Sequence, residues 1–218
     1  KEFPENQWSF TGLFGTFDKS SSQRGFQVYR EVCSGCHGMR LVSYRQLSAL
    51  GYNEKELKAL AAQFKITDGP NDDGEFFVRP ARPSDKFISP YKNEQEARSL
   101  NGGAYPPDLS LIIKSRTGGA DYIYALLTGY DQAPREFKVP EGMYFNSYYS
   151  GNLIAMPEPL YADGITYLDG TKASVNQMAH DVTTFLSWAS EPEMEKRKRL
   201  GVTVVSFLII FSILAFFS

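Results

Sequence analysis

Apolar positions along the chain recur with helical spacing in two places. From about Gln23 into Cys33, the side chains of Phe26, Tyr29, Val32 and Cys33 share one face, which predicts a helix. After Ser174, the residues Val175, Met178, Ala179, Val182, Phe185, Leu186 and Ala189 form an unbroken apolar stripe. Ser174 followed three residues later by Gln177 predicts a capping box, and Pro192 predicts the end of that helix. A shorter helix is expected over Asp121–Thr128, closed by Gly129. Between Asp68 and Asp108 the prolines at 70, 80, 83, 90, 106 and 107 and four glycines replace periodicity, so a long irregular excursion is expected. Gly164–Gly170 reads as a short hairpin.

Leu200–Ser218 follows a different rule. It is 19 residues long without a charge, close to the roughly 20 apolar residues that a bilayer-spanning helix needs. A buried core helix would show a polar stripe, and here only scattered Thr and Ser interrupt the run. The chain therefore divides into a water-facing domain, residues 1–195, and a basic run with a membrane anchor, residues 196–218. It opens on Lys1 with no leader and stops without a polar tail, so processing or trimming is expected.

Composition narrows the class. With 13 Tyr, 16 Phe and 2 Trp in 218 residues, the chain has material for a real core and is not disordered. Two cysteines exclude a disulfide scaffold, and a zinc site would need both of them and both histidines. Lys1–Glu195 holds all 25 acidic residues and 19 of the 23 basic ones, leaving it net −6. The other four form the run Lys196–Arg199. Nothing here makes the basic face that nucleic acid requires.

The chemistry concentrates in Cys33-Ser34-Gly35-Cys36-His37. Cys-x-x-Cys-His is the spacing of c-type haem attachment: two thiols reach the two vinyl groups of one haem, and the next residue is an axial histidine. A thioredoxin-like dithiol would need a βαβ setting, whereas this motif follows a helix. The second axial ligand has to come from His180 or from Met39, Met143, Met156, Met178 or Met194. His180 falls opposite the apolar face of its helix and reads as a solvated polar residue. Met178 reads as core, Met39 is too close to His37, and Met194 adjoins the anchor. Of the two loop methionines, Met156 beside Pro157 and Pro159 is favoured over Met143, because prolines stiffen the loop that carries it. A His/Met pair closes the iron and raises its potential, which suits electron transfer over catalysis.

These residues and several other stretches resemble the cytochrome c1 family, the haem subunit of the cytochrome bc1 complex (ubiquinol–cytochrome c reductase), in its bacterial form. The resemblance runs through Gly25–Gly38, Met39-Arg40, Asp68–Asn71, Asn101–Ser110, Arg116–Gly119, Asp121-Tyr122, Leu126–Tyr130, Met156-Pro157 and Asp181–Pro192. It implies a mainly α, class I cytochrome c fold with long loop insertions, and one C-terminal transmembrane helix. One covalently attached haem c would be held by Cys33 and Cys36. His37 and Met156 would be the axial iron ligands, with Asn101, Pro107, Arg116 and Tyr122 in the haem pocket and Arg116 on a propionate. The implied partners are cytochrome b, a Rieske iron–sulfur protein, a soluble or membrane-tethered basic cytochrome c and the lipid bilayer, in a dimeric complex. The implied place is the bacterial inner membrane, with the domain in the periplasm, in a respiratory or photosynthetic chain. The basic run beside the anchor argues for the opposite orientation by the positive-inside rule; the haem motif outweighs it.

The net acidity of the domain suits a basic partner, and Asp68, Asp72, Asp73 and Glu75 form a candidate docking cluster. A free-standing tethered electron shuttle, a haem enzyme with an open iron position, and a thiol oxidoreductase without haem are the rival readings.

Overall fold

The computed structural model describes residues 2–217; Lys1 and Ser218, the last residue of the expected anchor, lie outside the described residues. The domain is mainly helical. Helix α1 (Lys19–Val28) runs without a break into a π-helical turn, Tyr29–Cys33. Its start is set by Asp18, whose carboxylate accepts the Ser21 N–H at 2.8 Å. A 3-10 segment, Tyr44–Leu50, and α2 (Glu54–Ala62) follow; α2 carries a complete capping box between Asn53 and Glu56.

Helices α4 (Ile112–Ser115), α5 (Gly119–Thr128) and α6 (Val175–Ser190) complete the bundle. The core lies where α1 crosses α6. Gly25 sits at the crossing: a Cβ there would come within 2.0 Å of the Asp181 carbonyl oxygen and 2.7 Å of Phe185 Cβ. Absence of a side chain thus lets the two backbones approach. Phe26 and Tyr29 on α1 meet Phe185 on α6 at ring-centroid distances of 5.5 and 5.8 Å.

An ionic network spans the same crossing. Asp181 is fully buried; it accepts from Ser21 Oγ at 2.6 Å, from Arg24 Nε at 2.8 Å and from Gln177 Nε2 at 3.0 Å. Ser174 caps α6 by accepting the Gln177 N–H, but the reciprocal half of the expected capping box is not made, because the Gln177 side chain is spent on Asp181. Met178 is core, as expected, and Met39 and Met194 are buried as well.

The excursion from Asp68 to Asp108 is less irregular than its prolines indicate. Its first part forms a two-stranded antiparallel hairpin with the residues just before it, β1 (Lys65–Asp68) with β2 (Phe77–Pro80), and a helix follows, α3 (Glu94–Leu100). Pro80 is tolerated because it ends an exposed two-stranded ribbon. Asn93 caps α3 by accepting the Glu96 N–H at 2.9 Å, a start signal that prolines upstream obscure. The expected hairpin at Gly164–Gly170 is instead a pair of turns. A second short ribbon, β3 (Tyr144–Phe145) with β4 (Leu153–Ile154), stands beside α5.

The apolar run forms α7, but the helix begins earlier, at Met194, and continues to Phe216. The four basic residues are therefore part of it. Its 23 residues span roughly 34 Å. Its most apolar window has a mean hydropathy of 2.2, and none of that window is buried against the rest of the chain. This helix is long and apolar enough to cross a membrane.

Candidate functional site

The π-helical turn that ends α1 delivers the Cys-x-x-Cys-His segment. Ser34 N–H donates to the Tyr29 carbonyl five residues back at 2.8 Å, and Ser34 Oγ donates to the Arg30 carbonyl at 2.7 Å. Cys36 N–H and His37 N–H both donate to the Cys33 carbonyl, at 3.1 and 2.9 Å, so the loop folds back on its first cysteine. Cys33 is half-buried and Cys36 exposed; neither is in a disulfide.

His37 is oriented from far along the chain. Its Nδ1 lies 2.7 Å from the Pro107 carbonyl, which can only accept, so Nδ1 carries the proton and Nε2 keeps its lone pair. Burial holds the imidazole below its ordinary pKa against the raising effect of that hydrogen bond and of Asp108, which favours the neutral form that binds metal. The strap around Pro107 is stitched to the motif. Leu109 N–H donates to the Gly38 carbonyl, Arg40 N–H to Asp108 Oδ2 (both 2.9 Å), and Leu41 N–H to Ser110 Oγ (3.0 Å).

Met156 is half-buried and packs at the edge of the main core, as do Cys33, Val32, Ile113 and Tyr122. Tyr130 fixes its backbone: the hydroxyl donates to the Met156 carbonyl at 3.0 Å. Asn146, fully buried, organises the preceding loop. Its side-chain nitrogen donates to the Leu126 carbonyl at 2.8 Å, and its side-chain oxygen accepts the Tyr148 and Tyr149 N–H groups at 3.0 and 3.1 Å. Met143 is also half-exposed, one turn after Pro140.

Asn101 donates through Nδ2 to the Tyr91 hydroxyl at 2.8 Å and to the Ala97 carbonyl at 2.7 Å. Tyr91 and Cys36 line one cleft of about 280 Å³, with Tyr105, Pro106 and Asp108 around it. Tyr122 is half-buried, its ring 5.3 Å from Phe3. Arg116 is exposed, and among the described residues its guanidinium bonds only the Ser115 carbonyl, at 3.4 Å. His180 is not simply solvated. It stacks on Trp8 with a centroid distance of 4.9 Å, and its Nδ1 stands 3.9 Å from Asp181.

The docking cluster divides. Asp68 is paired with Arg79, which also holds Asp85, whereas Asp72, Asp73 and Glu75 are exposed at the hairpin turn. Tyr130, Asn146, Asp108 and Tyr91 were not singled out by sequence. Only their partners distinguish them from the chain's other polar and aromatic residues.

The residues present fit a haem. Two free thiols stand at attachment spacing, beside an imidazole whose Nδ1 is occupied and whose Nε2 has no partner among the described residues. Val32 and Cys33 are half-buried at the edge of the main core. The same thiols do not fit a redox dithiol. Burial, with Cys36 adding to it, pushes the Cys33 thiol up to about 12, whereas reactive dithiols have lowered values.

A mainly helical domain with this motif, continued by a helix of membrane-spanning length, has the build of an anchored haem protein. The chain belongs to the cytochrome c1 family: the family model described as "Cytochrome C1 family" matches residues 8–218. It is 50% identical over 200 residues to a protein named "Cytochrome c1 1, heme protein, mitochondrial" from Arabidopsis thaliana, covering 92% of this chain and 65% of that protein. It is 49% identical over 220 residues to "Cytochrome c1" from Rhodospirillum rubrum, covering 94% and 81%. It is 47% identical over 237 residues to "Cytochrome b/c1" from Bradyrhizobium diazoefficiens, covering 99% of this chain but 34% of that protein. The chain thus spans just under two thirds of the plant relative's length and about a third of the Bradyrhizobium protein's.

Proposed function

We propose that this protein is a membrane-anchored c-type cytochrome. It passes electrons from a Rieske iron–sulfur protein to a soluble or tethered cytochrome c, as a subunit of a quinol–cytochrome c reductase. The carrying observation is the Cys33–His37 loop with His37 Nδ1 held by the Pro107 carbonyl. Family membership and relatives whose names join cytochromes b and c1 support the setting.

Cys33 and Cys36 would hold one haem c through thioethers, and His37 Nε2 and the Met156 sulfur would ligate its iron. When bound, the haem supplies a one-electron iron couple. The chain's own residues do the rest. The Pro107 carbonyl fixes the proton of His37 on Nδ1, burial keeps the ring neutral, and Asp108 ties the strap to the motif through the Arg40 N–H. Tyr130 and Asn146 keep the Met156 loop in one conformation through redox cycling. Arg116, exposed and without an ion-pair partner among the described residues, is free to meet a propionate. Asn101, Pro107 and Tyr122 line the pocket. Asp72, Asp73 and Glu75 steer a basic cytochrome. Helix α7 anchors the domain on the periplasmic face of a bacterial inner membrane. Cytochrome b and a second copy of the complex complete the assembly.

The test is a reduced-minus-oxidised visible spectrum of the protein purified from its own membranes in mild detergent. A c-type band with co-purifying b-type haem is expected. A c-type band alone would favour a free-standing tethered carrier, and no haem band would return Cys33 and Cys36 to thiol chemistry.

A further inference from the structure

The chain ahead of α1 contains a loop, residues 10–17, that is bolted to the anchor helix. Lys198 on α7 donates all three ammonium hydrogens to it, reaching the carbonyls of Phe10 at 2.8 Å, Gly12 at 2.6 Å and Gly15 at 3.1 Å. Glu195, three residues earlier on α7, accepts the Phe17 N–H at 2.8 Å. Within the loop, Thr16 N–H donates to the Ser9 carbonyl at 3.0 Å. Gly12 has a φ of +74°, and a Cβ on Gly15 would stand 2.0 Å from the Thr11 carbonyl. Both glycines are therefore required by this closed shape, and the loop is rigid.

At its tip the loop displays Leu13 and Phe14, which are 60% and 80% exposed. Two adjacent apolar side chains on a pinned loop that could have carried polar ones need an apolar neighbour. Their position along α7 identifies it. Leu13 and Phe14 line one cleft of about 240 Å³ with Lys198, Arg199, Val202 and Thr203. Val202 and Thr203 lie beyond the last charge of the chain, in the uncharged run that begins at Leu200. The loop tip is thus level with the first turn of the uncharged run.

We infer that Leu13 and Phe14 form a second membrane contact, inserted into the interface of an anionic phospholipid bilayer. Arg199 carries the charge at that level. Its guanidinium has no partner among the described residues, while Lys196 is paired with Glu193, Arg197 with Glu191, and Lys198 is spent on the loop. With one point in the interface and one helix through the bilayer, the domain is held at a fixed tilt over the membrane instead of swinging on a single tether.

This rests on α7 crossing the membrane and on haem attachment, which leaves no native thiol free. The experiment uses the haem-loaded protein in phosphatidylcholine–phosphatidylglycerol vesicles, with Phe14→Cys spin-labelled and the haem kept reduced. Labels at Asp72→Cys and Leu208→Cys serve as water-side and mid-span references. The ratio of oxygen to nickel-chelate collisions is expected to be several-fold higher at position 14 than at position 72, and below that at 208. A value at 14 equal to that at 72 would overturn the proposal, as would shielding from both probes, which would mean a protein surface covers the loop. A nickel-accessible label at 208 would defeat the anchor reading itself, separately from the loop.

Discussion

Gly25 and Asp181 meet backbone to backbone: the site of the missing Cβ on α1 is 2.0 Å from the carbonyl oxygen on α6. The helix that delivers the attachment motif is thereby seated on the helix that carries the core stripe. One residue away, Arg24 binds the carboxylate of the same aspartate. Gly25→Ala is therefore expected to push the helices apart and destabilise the domain by about 1–3 kcal/mol, as overpacking does. For a domain of this size that lowers Tm by roughly 2–4 °C per kcal/mol. A thermal melt in detergent reads it, and an unchanged Tm would show that the crossing yields without cost.

The Asp181 network sets an acid limit. Burial alone would push its carboxyl up, but His180, Arg24, Ser21 and Gln177 outweigh it and bring it down to about 2 from an ordinary 3.8. A folded-state value below the unfolded one stabilises fully above about pH 4, and the contribution is lost as pH falls toward 2. Its size is roughly 2 kcal/mol. Denaturant midpoints measured between pH 2 and 7 are expected to fall along that limb, and Asp181→Asn should flatten it.

Replacing Met156 with Leu should lower the haem reduction potential by on the order of 0.1 V, within the roughly 0.8 V that axial ligation spans. Met143→Leu should leave it within a few millivolts. A redox titration distinguishes them, and the opposite pattern would transfer the ligand to Met143.

Tyr130→Phe removes one hydrogen bond to the Met156 carbonyl, worth about 1 kcal/mol. The ferrous protein should then admit carbon monoxide more readily while keeping its folded spectrum. Unchanged carbon monoxide binding would mean that the prolines alone hold the loop.

The acidic cluster is expected to split by role. Asp72→Asn with Asp73→Asn should slow oxidation by a basic cytochrome several-fold at low salt, with the difference vanishing at high salt. Asp68→Asn should instead loosen the hairpin, since its carboxylate is held by Arg79.

Much of this was legible along the chain, because the signals are local. The stripe from Val175 to Ala189 is a helix face whatever else the chain does. The uncharged run after Arg199 has one physical solution in a bilayer. Cys33, Cys36 and His37 hold their chemistry in five consecutive residues. The prolines between 68 and 108 misled because they mark where backbone bonding is lost, not where Asn93 or the β1–β2 ladder restores it.

What the sequence determined by itself was therefore the Cys-x-x-Cys-His spacing and a helix long and apolar enough to cross a membrane: both depend on residue type and spacing within one local segment. Which carbonyl orients His37, which hydroxyl pins Met156 and why Lys198 stands in the basic run were decided only by the tertiary structure. Pro107 is 70 residues from His37, Tyr130 is 26 from Met156 and Phe10 is 188 from Lys198. A hydrogen bond between such residues has no periodicity to announce it, since it exists only once the core has brought its two ends together.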